Sequence, residues 1–378
     1  MNSQVKTFFD KVKEYLLKTY QILKPSLIAI GIGLFFGFII MLIFNPSGSF
    51  RGLLRMLSGG LNIGSKGLGD LLLRATPIIL TGLSLVVAFK TGLFNIGTPG
   101  QMVLGAFVAT YIGVKWSMPA PFHWMVAITL GMIAGAIWGS IPGILKAYTN
   151  TNEVVSSIML NYIGMYLVVF LVKNPAVGIY NFAVAKSANI QATAEMTRFG
   201  NLFGSSKFNV GFLIAILAGV IIHILFKKTT LGFELKASGF NKDASKYAGM
   251  NAKRNIVISM IIAGALAGLA GAIQFLIIGT NIGTTYDLLP EGFDGISVAL
   301  LGQTEPIGAM LAGVFLSYIR QGGFYMQVEG FPQQIIDIII SVIIYVTSIS
   351  AGIQLFLKMR KQKRLDKKSE ELGVVEND

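Results

Sequence analysis

Among the polar side chains that interrupt the apolar stretches of this 378-residue chain, six carry the argument. Asn95, Thr98 and Gln101 cluster at one interruption, Ser157 and Asn161 share a helical face, and Asp294 falls with Ser297 in a short apolar segment. Each costs free energy in hydrocarbon, so each must face a cavity or a neighbouring helix. Amides and hydroxyls offer donors and acceptors without charge, which is chemistry for holding a polar, uncharged solute. Bonding between helices is the plainer use of the same groups. Gln274, in a later apolar run, serves as a reference position outside that set. Leucine at position 161 keeps the volume of asparagine and suits a bilayer, so the fold is expected to tolerate it.

Catalysis has little to draw on. The two histidines, His123 and His223, lie far apart and cysteine is absent, so no thiolate or histidine cluster can form a metal site. No serine–histidine pair or carboxylate dyad stands out. Gly59-Gly-Leu-Asn-Ile-Gly-Ser-Lys66 lacks the Gly-Lys-Ser/Thr order and the preceding strand of a phosphate loop. No cofactor, no metal and no enzymatic activity are expected, and any energy from ATP must come from another chain.

The elements that position these residues follow from composition. Hydrophobic residues make up 53% of the chain and charged ones 13%, against about 25% charged in soluble domains. The chain therefore reads as an all-α integral membrane protein. Apolar runs predict about ten transmembrane helices near 27–44, 71–89, 94–113, 125–145, 154–172, 208–226, 256–278, 291–302, 306–320 and 334–357. The eighth would extend only about 18 Å, short of the ~30 Å hydrocarbon core, and is read as a short or broken span. Lysines gather at the two ends and in 227–254, which places both termini and that loop in the cytoplasm. The net charge of +13 thus has a topological origin, and no basic groove with stacking aromatics suggests nucleic acid. Residues 1–26 read as a cytoplasmic amphipathic segment, 27–357 as the membrane domain with 173–207 as its main extracellular loop, and 358–378 as a cytoplasmic tail. Gly131-xxx-Gly135 and Gly264-xxx-Gly268 predict close helix packing. An ion pair between Arg320 and Asp337 is expected.

The loop at 227–254 is longer than a connection requires. Ala237, Ser238, Gly239, Ala244, Ser245, Ala248 and Gly249 suit short helices lying close against another surface, so the segment reads as a docking element for a cytoplasmic partner. Two polar breaks, Gly92-Leu-Phe-Asn-Ile-Gly-Thr-Pro-Gly-Gln101 and Gly302-Gln-Thr-Glu-Pro306, resemble the paired interrupted helices of transport pathways.

Four ordered segments then resemble a known family: 92–101, Asn152-Glu-Val-Val-Ser-Ser-Ile-Met-Leu-Asn161, residues 231–249, and Glu291-Gly-Phe-Asp-Gly-Ile-Ser-Val-Ala-Leu-Leu-Gly302. They resemble permease subunits of ATP-binding-cassette importers of the branched-chain amino acid/ribose/nucleoside group. The extra amino-terminal span and the Met159-Leu-Asn-Tyr162 form look most like the guanosine-type nucleoside permeases. The resemblance implies a type II-importer-like permease in the cell membrane, working by alternating access. It implies a double-cassette ATPase in the cytoplasm, a second permease subunit, an extracellular substrate-binding lipoprotein and a nucleoside substrate. A ribose-type sugar permease or a secondary transporter is the alternative. It further implies ATPase coupling at Glu234, Lys236, Ala237, Gly239, Asn241, Ala244, Ala248 and Gly249, and a substrate path near Asn95, Thr98, Gln101, Ser157, Asn161 and Asp294.

Overall fold

The computed structural model describes residues 28, 30–59, 64–204, 206–332 and 334–346. The expected amphipathic segment 1–26 and tail 358–378 lie outside them. The described residues are mostly helical, with a hairpin of two-residue strands and irregular connections. They divide into two compact units, Leu54–Met326 and the flanking residues on either side of it.

The larger unit is built on helices α3 (Gly64–Lys90), α4 (Thr98–Lys115), α5 (Phe122–Ile144, continued by a wider turn Leu145–Thr149), α6 (Glu153–Lys173), α7 (Gly211–Lys228) and α10 (Ala252–Phe275). Between α7 and α10 lie α8 (Thr230–Phe240) and α9 (Lys242–Tyr247), and the unit closes with α11 (Pro290–Leu301) and α12 (Pro306–Met326). Among the described residues, five helices are long and apolar enough to cross a bilayer: α3, α5 with its extension, α6, α7 and α10.

The centre of this unit is dense because glycine lets backbones touch. A Cβ at Gly135 of α5 would lie 2.4 Å from the Gly264 carbonyl oxygen of α10, and one at Gly105 of α4 would lie 2.2 Å from that of Gly268. Any larger residue would part these helices, so α4, α5 and α10 pack at the closest distance helices allow. α3 joins them through Ser84, whose hydroxyl donates to the Ala263 carbonyl at 2.7 Å.

Helix ends follow from local chemistry. Asn152 caps α6 by accepting from the Val154 amide at 2.9 Å. Asn150, with φ +55°, ends the turn before it in the left-handed conformation that asparagine tolerates. The segment 174–210 carries structure of its own: Tyr180–Asn181 pairs antiparallel with Lys186–Ser187, and Lys186 bridges to Gly283 in the α10–α11 connection.

In the smaller unit, α1 (Ile30–Phe44) and α13 (Gln334–Val346) meet where Gly33 and Gly37 face Ile343 and Ile339. Asn45 donates to the Glu329 carbonyl at 3.1 Å. A further helix, α2 (Ser49–Ser58), was not expected from sequence; its strongly one-sided apolar pattern over ten residues is too short to register as a span.

Candidate functional site

The break before α4 is held by amide side chains. Gly92, at φ +71°, turns the chain out of α3, and residues 93–97 run on outside any helix. Asn95 and Gln101 exchange two bonds of 3.0 Å, each amide donating to the other's carbonyl oxygen. Asn95 Oδ1 also accepts from the Gly97 amide at 3.1 Å, and the Thr98 hydroxyl donates to the Asn95 carbonyl at 3.0 Å. Asn161 closes the arrangement from α6: its Oδ1 accepts from the Gly100 amide and its Nδ2 donates to the Ile96 carbonyl, both at 2.9 Å. It is the ninth residue of α6, about 12 Å along that helix. Non-helical backbone at such depth needs protein partners, because hydrocarbon offers none. Ser157, fully buried, stands beside Gly97, and its hydroxyl has no hydrogen-bond partner.

Five of the six residues singled out from sequence are therefore brought together around one break. Asp294 stands apart on α11, where it accepts from Arg320 Nη2 at 2.6 Å, a pairing not anticipated for an arginine expected beside Asp337.

α11 is twelve residues long and lies along the Lys90 half of α3. The Thr81 hydroxyl donates to the Glu291 carbonyl at 2.9 Å near its start, and Lys90 pairs with Glu305 at 2.6 Å just past its end. Its first turn meets the break, since a Cβ at Gly292 would lie 2.6 Å from Pro99 Cα. Above that turn, α3, α10, α11 and α12 enclose a cavity of about 250 Å³. Arg74, Gln274, Glu291, Asp294, Ser317 and Arg320 line it with apolar neighbours. Gln274 Nε2 donates to Glu291 Oε1 at 3.0 Å. Sequence reasoning missed this group; the only signal was that Glu291 and Asp294 are one turn apart on a short apolar helix, a spacing that puts both on one face.

The 227–254 segment folds as two short helices, each capped by its own sequence. Thr229 accepts from the Gly232 amide at 3.0 Å, and Asn241 from Asp243 and Ala244 at 3.0 and 2.9 Å. Part of the small-residue pattern serves the chain itself. A Cβ at Gly239 would lie 2.4 Å from the Lys90 carbonyl oxygen and 2.9 Å from the Gly92 nitrogen. The Ser238 hydroxyl accepts from Asn255 of α10 at 2.9 Å. Asn241, Ala244, Ala248 and Gly249 face outward, and Glu234, Lys236 and Ala237 are half-buried. Phe240 and Tyr247 are 90% and 94% exposed, a large apolar offering at the tip of an otherwise basic loop.

Residues 67–348 match the family described as branched-chain amino acid transport system / permease component. The guanosine ABC transporter permease protein NupP of Bacillus subtilis is 36% identical over 92% of this chain and 99% of its own length. The nucleoside ABC transporter permease protein NupB of Lactococcus lactis is 36% identical over 94% and 98%. The glucose ABC transporter permease protein TsgB13 of Haloferax volcanii is 32% identical over 74% and 75%. No solved structure matches. With the family match covering most of its length and the relatives aligned nearly end to end, this chain belongs to the branched-chain amino acid transport system permease family of multi-pass membrane proteins.

Proposed function

We propose that this chain is the permease subunit of an ATP-driven nucleoside importer. The substrate rests on the two relatives, named for guanosine and nucleosides, that align over more than nine-tenths of the chain. The same names, as ABC transporters, support an ATPase partner; a second permease and an extracellular binding lipoprotein complete the proposed complex. Ten crossings with both termini cytoplasmic fit the distribution of lysine and arginine.

The observation that carries the mechanism is the contact of Gly239 with Lys90 and Gly92. The exposed α8–α9 pair would rest on the ATPase, through Glu234, Lys236, Ala237, Asn241, Ala244, Ala248 and Gly249 around the protruding Phe240 and Tyr247. A displacement of α8 loads the start of the break directly. The break is fastened to α6 by Asn161 and touches α11 at Pro99, so movement there re-aims the first turn of α11. Asn95, Thr98, Gln101, Ser157 and Asn161 border the path by holding that break, and Asp294 borders it through the cavity.

The test is uptake of labelled nucleosides, pentoses and hexoses by cells with and without the gene. Gene-dependent uptake of nucleosides alone is expected; gene-dependent uptake of sugars alone would refute the substrate. Copurification of an ATPase that is lost on Phe240→Asp and Tyr247→Asp together would test the docking face.

A further inference from the structure

We infer that the cavity between α3, α10, α11 and α12 is a binding site for the base of the transported nucleoside, read through N–H donors by Glu291 and Gln274. The inference deepens the transport reading above and rests on it. Three observations carry it.

The first is unused acceptors. Gln274 Nε2 is spent on Glu291 Oε1, a direction fixed because an amide nitrogen can only donate. That leaves Glu291 Oε2 and Gln274 Oε1 buried with no hydrogen-bond partner. A buried acceptor without a donor is unfavourable, more so when it carries charge. Both side chains end in soft torsions about an sp² carbon, so both oxygens can turn toward a ligand that supplies the donors. The second is charge. Arg74 and Arg320 share the lining with Glu291 and Asp294, two cations with two anions, and a site so balanced suits a neutral guest. The third is size. About 250 Å³ falls just under the ~300–1,000 Å³ of small-molecule sites, and apolar Leu73, Ile78 and Ile273 in the wall suit the face of a ring.

A neutral ring with two adjacent N–H donors and a neighbouring carbonyl meets all three conditions. The donors answer Glu291 and Gln274, and the carbonyl can accept from Arg74, which makes no ion pair among the described residues. Guanine carries that edge. Adenine presents one amino donor beside a ring acceptor and satisfies the pair less well.

The test is concentration-dependent uptake of labelled guanosine and adenosine by cells carrying wild-type protein or the isosteric variant Glu291→Gln, normalised to protein in the membrane. Wild type is expected to prefer guanosine. In the variant the apparent affinity for guanosine should fall about tenfold or more, the scale of a lost bond to a charged group, and by a clearly larger factor than that for adenosine, which offers the pair a single donor. Equal loss for both, or no change in either, overturns the inference and leaves nucleoside transport standing. Nucleoside uptake independent of the gene overturns the transport reading and this one with it. A second readout does not depend on that variant. The chain has no cysteine, so Thr280→Cys, on the cavity wall, can be labelled in purified protein. Guanosine should slow its reaction with a maleimide severalfold and ribose should not; identical rates with and without guanosine count against the site.

Discussion

Replacing Asn161 by leucine tests what holds the break. The side chain is 2% exposed, and both ends of its amide are committed to backbone groups, the Gly100 N–H and the Ile96 C=O. Leucine fills the space and serves neither. Buried groups stranded in this way cost about 1–3 kcal/mol each, or roughly 2–6 for the two. Hydrogen bonds inside membrane proteins average nearer ~0.6 kcal/mol with a maximum near 1.7, because the unfolded chain in lipid finds other partners. That scale gives about 1–3 for the pair. The two overlap at about 2–3 kcal/mol, and the expected loss is set there, a factor of roughly 30 to 150 in the folding equilibrium. Thermal unfolding of the purified chain in detergent measures it, with Asn161→Asp as the informative companion. Aspartate keeps the acceptor for Gly100 but replaces the donor to Ile96, so it should recover part of the loss. Stability of Asn161→Leu equal to wild type would refute the reasoning, and would return Asn161 to the more tolerant role expected from sequence.

Further outcomes follow from the same geometry. Gly239→Ala should displace α8, because its Cβ would enter the Lys90 carbonyl, whereas Ala237→Arg should leave α8 seated and act on a partner alone; protease sensitivity of residues 230–250 separates the two. The Lys90–Glu305 pair, with the glutamate side chain 44% exposed, should contribute no more than about 1 kcal/mol in a double-mutant cycle. Val184→Cys, exposed on the hairpin, should react with an impermeant thiol reagent in intact cells while Tyr247→Cys does not; the reverse pattern would invert the proposed topology.

Much of the helical plan could be read from hydropathy, since each run between α3 and α12 reappears within four residues of its expected ends, except that α3 starts at Gly64 and α12 continues to Met326. The short eighth span was legible because twelve residues cannot cover a bilayer. What escaped was the division of labour among polar residues. Asn161 and Gln274 are both amides in apolar helices, and periodicity cannot tell which one bonds backbone and which one faces a carboxylate across a cavity. The partner of Asn161 is a break 61 to 65 residues away, and that of Gln274 lies on another helix. Similarly, Gly239 reads as a surface for a partner until its approach to Lys90 is seen. Non-local contacts assign such roles, and composition records only that the residues are available. Ser187, which sequence places in the extracellular loop, is buried and bonded to the Ile282 amide at 3.0 Å, because the hairpin is sewn to the α10–α11 connection.

The glycine seam through α4, α5 and α10 bears on how the chain can change shape. Carbonyls and α-carbons that touch across Gly105, Gly135 and Gly268 interlock like the teeth of a clasp, and sliding one helix past another would require the seam to part before it could re-engage. The three helices therefore travel as a single plate. Any rearrangement has to be concentrated at its margins, in the residues 92–97 on one side and the short α11 on the other, so a stroke of the kind proposed at α8 would not be dissipated within the bundle.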